Sequence, residues 1–364
     1  MSVIALAALA TWAYLILAHG RFWSSLPELM PAVPAAYPDV DIVVPARDEE
    51  ETIGAVIASL LKQDYPGKFR ILLVDDNSTD ATVERAGRAP NLRLIRGDPK
   101  PQGWAGKMWA LRQGVQAGEA PLILFTDADI VHDPKHLSAL VARLPDLDLV
   151  SEMVHLNCAS LAERALVPAF VYFFQMLYPF ARVNDPRSRV AAAAGGTVLI
   201  PRAVLERIGG IDAVKGALID DVALAQKVKA AGGSLYLGHS GLASSIRPYP
   251  HFADVWRMIA RTAFTQLRYS AALLFLTVIG LSLVWFAPVA LLFVGRPWER
   301  LCGLAVFAAA AASYLPTLRR YQRSALWALM LPLIAAFYTA ATIGSALGHW
   351  RGAGARWKDR SYLG

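Results

Sequence analysis

The chain reads as an α/β domain flanked at both ends by apolar helices. Three observations predict this. Apolar runs alternate with helical stripes between about residues 40 and 230, the pattern of strand–helix units around a parallel sheet. Three of those runs end in acidic turn clusters, which is where open α/β sheets collect ligands. Charge also vanishes at both ends: Val3 to Ala18 carries none, and beyond about Ser270 the chain is apolar almost to Trp350.

The bulk composition agrees. Hydrophobic residues make up 55% of the 364 positions and charged residues only 18%, with a mean hydropathy of +0.37. That is too apolar for an ordinary soluble enzyme. The segment between the apolar ends has normal charge and turn content, enough for one sizeable domain. The net charge is +7. Its cations cluster beside the apolar segments, at Arg257, Arg261 and Arg268, at Arg319, Arg320 and Arg323, and at Arg351, Arg356, Lys358 and Arg360. Such placement suits anionic lipid head groups. No aromatic-basic platform for bases accompanies it, so nucleic acid is not an expected partner. Cys158 and Cys302 lack metal-ligand spacing and read as small hydrophobes.

The elements follow in order. Residues 4–20 read as a first span, with Phe22 and Trp23 as an interfacial belt. No Lys or Arg precedes it, and Arg21 follows it. The positive-inside rule then predicts an uncleaved anchor and a cytoplasmic domain. Pro27, Pro31, Pro34 and Pro38 punctuate a linker. Asp41 to Pro45 is a strand. Glu50 to Leu61 carries a helical stripe at Ile53, Val56, Ile57, Leu60 and Leu61. Phe69 to Val74 is a strand, and Asp80 to Ala86 a helix with Ser78 or Asp80 as cap. Leu92 to Ile95 is a strand, Lys107 to Gln116 a helix, and Pro121 to Thr126 the strand before Asp127-Ala128-Asp129. Ala165 to Ala181 is aromatic and interrupted by Pro168 and Pro179, and reads either as an interfacial helix or as a core helix. Ala272–Val294 and Ala325–Leu347 are long enough to span, while Leu301–Leu315 is marginal or re-entrant. The expected domains are an anchor at 1–23, a globular domain at 24–268, membrane segments at 269–350 and a basic tail at 351–364.

Two carboxylates two residues apart at a strand end can hold a divalent cation against a diphosphate, because hard cations bind through one or two carboxylates plus phosphate oxygens. Gly103-Trp104-Ala105-Gly106-Lys107 opens a helix and can meet phosphate, although it lacks the spacing of a Walker motif. Residue by residue, Asp75 also suits a strand-end turn, Glu49 and Glu50 a helix N-terminus, and Asp221 a helix N-cap.

Taken together, the motifs resemble the family 2 inverting glycosyltransferases of GT-A fold. Val43-Val44-Pro45-Ala46-Arg47-Asp48-Glu49-Glu50 is similar to the family's V-x-P-x-x-N-E, with Asp48 where Asn is usual. Val74-Asp75-Asp76-Asn77-Ser78-Thr79-Asp80 is similar to V-D-D-x-S-x-D, Asp127-Ala128-Asp129 to D-x-D, and Ile219-Asp220-Asp221 to the later E-D pair. Gly195-Gly196-Thr197 looks like the acceptor-side G-G-x strand. Of the Q-x-x-R-W motif of membrane-bound members only Arg261 remains, which argues against a processive synthase.

The resemblance implies a UDP-sugar donor, Mg²⁺ or Mn²⁺, and roles for particular residues. Asp76 would accept the base imide, with Glu49 and Pro45 at the base or ribose. Lys107 and Arg261 would face the diphosphate. Asp129 would be the direct metal ligand, with Asp127 nearer the ribose or the metal's water shell. Asp221 would be the general base. One leading span, three trailing apolar segments and Trp357 to Tyr362 look nearest to the bacterial hopanoid-biosynthesis-associated glycosyltransferases. That resemblance implies a membrane lipid acceptor at the bacterial inner membrane. Ceramide, carotenoid and polyprenyl phosphate are the alternative acceptors. A non-catalytic scaffold or lipid transporter of the same fold is the alternative class.

Overall fold

The computed structural model describes residues 1–352 and the backbone of two paired two-residue strands, Arg356–Trp357 and Arg360–Ser361. Lys358 and Tyr362 of the C-terminal motif lie outside the described residues. The chain divides into two compact units. One is built on a sheet and spans Leu26–Asn157 and Arg182–Pro248. The other is helical and takes Met1–Ser25, Cys158–Ala181 and Tyr249–Ala355. The globular segment expected at 24–268 is therefore not one continuous body: residues 158–181 and 249–268 pack with the terminal helices.

The sheet unit has nine strands: β1 (Glu28–Leu29), β2 (Val40–Ala46), β3 (Phe69–Asp75), β4 (Leu92–Arg96), β5 (Leu122–Thr126), β6 (Ile130–His132), β7 (Leu149–His155), β8 (Thr197–Pro201) and β9 (Leu235–Ser245). Their order is β1-β9-β7-β8-β5-β2-β3-β4, with β6 paired to β9. The β2–β3, β3–β4, β2–β5, β7–β9 and β1–β9 pairs are parallel. β8 runs antiparallel between β5 and β7, so the sheet is parallel-dominated rather than wholly parallel. Every residue of β2 and of β5 is buried. Strands covered on both faces need near-continuous apolar runs, which is why these two were readable. Each such Ile, Val or Leu contributes roughly 1.5–3 kcal/mol by leaving water.

Helices Ile53–Leu61 and Gly106–Ala117 fall where the apolar stripes predict them, within a turn at each end. The second lies tightly on β2: a Cβ at Gly114 would sit 2.3 Å from a Val43 methyl. The stretch expected from Asp80 is helical only over Thr82–Ala86, because the Asp80 carboxylate is used to accept the Thr82 amide at 2.9 Å. The carboxyl ends of β2, β3 and β5 thereby carry Arg47–Glu50, Asp75–Ser78 and Asp127–Asp129.

In the helical unit, four helices among the described residues are long and apolar enough to cross a membrane: Leu161–Val183, Ala271–Val294, Pro297–Arg320 and Ala325–Trp350. The N-terminal helix, Ser2–Leu17, is shorter. The segment expected to be marginal at 301–315 is a helix of 24 residues. Pro297 at its first turn and Glu299, which accepts the Arg296 amide at 2.8 Å, start it early. The segment expected at 165–181 also begins earlier, at a capping box of Ser160 and Glu163. Its Phe173 ring packs against Trp285 at 5.7 Å and Tyr338 at 4.9 Å, so that ring belongs to the unit's interior. Between Ala271 and Val294 the helix loosens into a π turn at Ser282–Phe286. Trp12 Nε1 donates to the Val284 carbonyl there at 3.0 Å, using a backbone acceptor within the altered ladder.

Candidate active site

The strand-end loops of the sheet unit hold one another. Asp48 has a φ of 50°, a left-handed conformation that Asn and Asp tolerate best. This explains why Asp can replace Asn in the first motif. Its Oδ1 accepts the Thr79 amide at 2.7 Å, tying the β2 loop to the β3 loop. Glu49 N donates to Thr82 Oγ1 at 2.7 Å for the same effect. Asp75 Oδ1 accepts the Ser78 amide at 3.1 Å and so serves as a turn residue. Asp76 is 1% exposed. Arg47 lies beside it, donating from Nη1 to the Asp76 carbonyl at 2.6 Å, with the carboxylate at 3.9 Å.

A cleft with about 390 Å³ of empty space brings five of the sequence motifs together. Pro45, Lys107, Asp127, Gly195, Asp220 and Asp221 are among its lining residues. Lys107 Nζ sits 2.7 Å from Asp127 Oδ1 and 3.0 Å from Asp220 Oδ2. A Cβ on Gly195 would lie 3.2 Å from Asp221 Oδ2 and 3.7 Å from Lys107 Nζ, so the glycine lets the carboxylates and the ammonium share one wall. Apart from Thr126 the rest of the lining is apolar, including Met108, Phe125, Val198 and Leu224.

That lining shifts the acid–base behaviour of the polar groups. Burial, then the neighbouring charge of Asp220, pushes the Asp221 carboxyl up to about 7, while Lys107 and the Val222 amide pull it down. Burial raises Asp127 as well, against the pull of Lys107 and with Asp129 and Asp220 adding to the rise. Burial opposes the charge on Lys107, but Asp127 and Asp220 outweigh it and hold the ammonium above its usual range. Asp221 heads the helix Asp220–Ala230, and its Oδ1 accepts the Val222 amide at 2.8 Å.

Asp129 points elsewhere. Its Oδ2 accepts from Arg247 Nε at 2.8 Å and from Ser245 Oγ at 3.2 Å. The other end of the same guanidinium donates from Nη2 to Glu49 Oε1 at 2.6 Å. Arg247 was not foreseen from the sequence, and neither was Arg47. The two carboxylates of D-x-D thus diverge, one toward Lys107 and one toward Arg247. Arg261 is exposed on the helix Phe252–Gln266 of the helical unit and is not a member of either cluster. Among the described residues no group of three or more His, Cys, Asp and Glu side chains forms a metal cage.

Residues 41–209 match Glycosyl transferase family 2. The chain is 32% identical over 123 residues to the dodecaprenyl-phosphate galacturonate synthase of Rhizobium johnstonii, covering 31% of this chain and 35% of that protein. It is 32% identical over 128 residues to the beta-monoglucosyldiacylglycerol synthase of Synechocystis sp., covering 32% and 26%. The matches therefore span well under half of the length of these curated relatives. Among solved structures, the mannosyltransferase PcManGT from Pyrobaculum calidifontis, in complex with GDP-Man and Mn²⁺, superposes with a TM-score of 0.57 at 21% identity, covering 94% of this chain and 98% of that one. That likeness is one of fold, and it agrees with a GT-A sheet. Over residues 41–209 the chain is thus similar to the family 2 glycosyl transferases.

Proposed function

We propose that the chain is an inverting glycosyltransferase that moves a sugar from a UDP-sugar to a membrane lipid. The carrying observation is the cleft that gathers Lys107, Asp127, Asp220 and Asp221 from separate motifs, with the Asp221 carboxyl raised to about 7. A base poised near neutrality can take a proton from an acceptor hydroxyl at working pH. Asp221 then activates the hydroxyl for in-line attack at the anomeric carbon. Lys107 keeps the surrounding acids in place and offsets their mutual repulsion. Asp76 and Glu49 face the nucleoside end of the donor, with Pro45 on the cleft wall.

The donor set suits Mg²⁺ or Mn²⁺. It is made of carboxylate oxygens at a strand end, and a hard cation held by one or two of them completes its shell with diphosphate oxygens. Both bonds to the Asp129 carboxylate fall on Oδ2, so Oδ1 would be the oxygen to hold a cation. When bound, the ion supplies Lewis-acid neutralisation of the leaving diphosphate.

Three lines support a lipid acceptor. Four helices are long and apolar enough to span. Two relatives carry names of lipid-linked products or acceptors. The resemblance of the whole chain points to a hopanoid as the acceptor and to the bacterial inner membrane, with the sheet unit on the cytoplasmic side. Polyprenyl phosphate is the second acceptor to test, because one relative is named for it. The test is incubation of the purified protein in bilayers with labelled UDP-sugars and separate hopanoid, polyprenyl-phosphate and diacylglycerol pools. Label in the organic phase supports the reading. Label only in water-soluble products overturns the lipid acceptor, and no label from any donor favours a non-catalytic scaffold.

A further inference from the structure

The sheet unit contains a buried chain of hydrogen bonds that the proposed chemistry does not use. Glu152 on β7 is 0% exposed. Its Oε1 accepts from Thr197 Oγ1 at 3.0 Å and bonds His136 Nε2. His136 Nδ1 faces His132 Nδ1 at 2.9 Å. His132 Nε2 lies 3.1 Å from Thr126 Oγ1, and that hydroxyl donates to the Gly196 carbonyl at 3.0 Å. β5, β6, β7, β8 and the helix His136–Arg143 are joined by it.

Counting protons fixes its direction. One hydrogen must lie between the two facing Nδ1 atoms. Suppose His132 carries it. In a neutral ring His132 Nε2 is then a bare acceptor and takes the only proton of Thr126, so the bond to Gly196 is lost. Glu152 is left as a buried carboxylate beside a neutral imidazole, a costly arrangement. Suppose instead that His136 carries it. His132 Nδ1 accepts, His132 Nε2–H donates to Thr126, and the Thr126 proton goes to Gly196. Glu152 and His136 share the remaining proton and are neutral as a pair. A doubly protonated His132 with an ionised Glu152 would fill the same contacts, but it separates two charges in a buried site and runs against the lowered pKa of His132. With His132 neutral, only the second order fills each of these contacts, while Glu152 Oε2 stays buried without a partner in either order.

We propose that the Glu152–His136 pair locks His132 as its Nε2–H tautomer, and that this directed chain aims the Thr126 hydroxyl at Gly196, making His132, His136 and Thr126 positioning residues for the carboxylates of the cleft. The role in turnover rests on the transferase reading above. The clamp sits between the parts that must stay in register. Thr126 precedes Asp127, whose amide also reaches the Gly196 carbonyl at 3.3 Å. Gly195 borders Asp221. Burial and the neighbouring His136 push the His132 pKa well below its ordinary value, in keeping with a neutral ring.

Nitrogen-15 NMR of the full chain, labelled in its histidine imidazoles and held in detergent at pH 7, tests the proton order. A His132→Gln sample assigns the signals. His132 is expected to show a bare Nδ1 and a protonated Nε2; a protonated Nδ1 on His132 overturns the proposal. Kinetics test the positioning. Thr126→Val should lower kcat roughly tenfold to a hundredfold, in line with small misplacements of reacting groups, with KM for the UDP-sugar unchanged. Thr126→Ser should restore kcat. Wild-type kcat in Thr126→Val, or equal loss in both variants, overturns the positioning role. The NMR result needs no transferase activity, so failure of that reading and failure of the proton order are seen separately.

Discussion

The guanidinium of Arg247 reaches the carboxylate of Asp129 across 118 residues of sequence, Nε to Oδ2 at 2.8 Å. The register of β6 on β9 brings this about. Ile130 pairs with Ser245, and the Ile246 amide donates to the Asp129 carbonyl at 2.9 Å, so Arg247 emerges beside the acidic pair. The same side chain holds Glu49 from the β2 loop. One cation therefore links the first and third acidic motifs.

Replacing Arg247 with Ala should loosen both acids at once. Leaving such groups without their charged donor costs roughly 1–3 kcal/mol. A lower midpoint in thermal unfolding and weaker UDP-sugar binding by calorimetry are expected. Arg247→Lys should recover only part of either, because its point charge lacks the planar fork whose Nε and Nη2 reach the two carboxylates from opposite ends. Unchanged binding in Arg247→Ala would remove the residue from the site.

Lys107 restrains the proton affinity of Asp221, so its loss has a definite sign. In Lys107→Met the pull that lowers the Asp221 carboxyl is gone, while burial and Asp220 remain. The rise of rate with pH should move to a midpoint above 7. A midpoint that stays in place or falls contradicts the arrangement.

Asp129→Asn keeps the size of the side chain and an acceptor for Arg247, but not the charge a cation needs. Transfer should be lost while the unfolding midpoint stays near wild type, and excess chelator should have the same effect on wild type. Full activity in either case means that no cation acts at Asp129.

Gly196 has no room for a side chain. A Cβ there would lie 2.9 and 3.0 Å from the two methyls of Val154, a stiff β-branched neighbour. Gly196→Ala should cost about 1–3 kcal/mol, as overpacking does. Adding Val154→Ala should return part of that stability in the double mutant. Simple additivity of the two losses would show that the contact is not the cause.

Much of the site was legible because its residues stand at strand ends that are themselves legible. Val40–Ala46 and Leu122–Thr126 are unbroken apolar runs, so Glu49, Asp127 and Asp129 could be placed before any coordinates. Arg47 and Arg247 were not legible. Their partners are set by strand pairing across 29 and 198 residues, and periodicity carries no register between distant strands. Lys107 was expected to face phosphate, and only the fold shows two carboxylates already around it. The antiparallel course of β8 was hidden for the same reason as the register. Pro297–Arg320 outruns the apolar stretch 301–315 because its end turns carry Glu299, Arg319 and Arg320, which hydropathy leaves out.

The pH dependence of initial transfer rate, measured on wild type and on Asp221→Asn in the same bilayers, bears most directly on Asp221 as the base. In the proposed role Asp221 acts only when deprotonated, and its carboxyl is raised to about 7. The wild-type rate should climb with pH, reach half its maximum near 7 and level off above. Asp221→Asn should run roughly a hundredfold or more below it, the usual cost of a lost general base, with UDP-sugar binding retained. A wild-type rate that is flat from acid to mild alkali, or an Asp221→Asn rate equal to wild type, would contradict it.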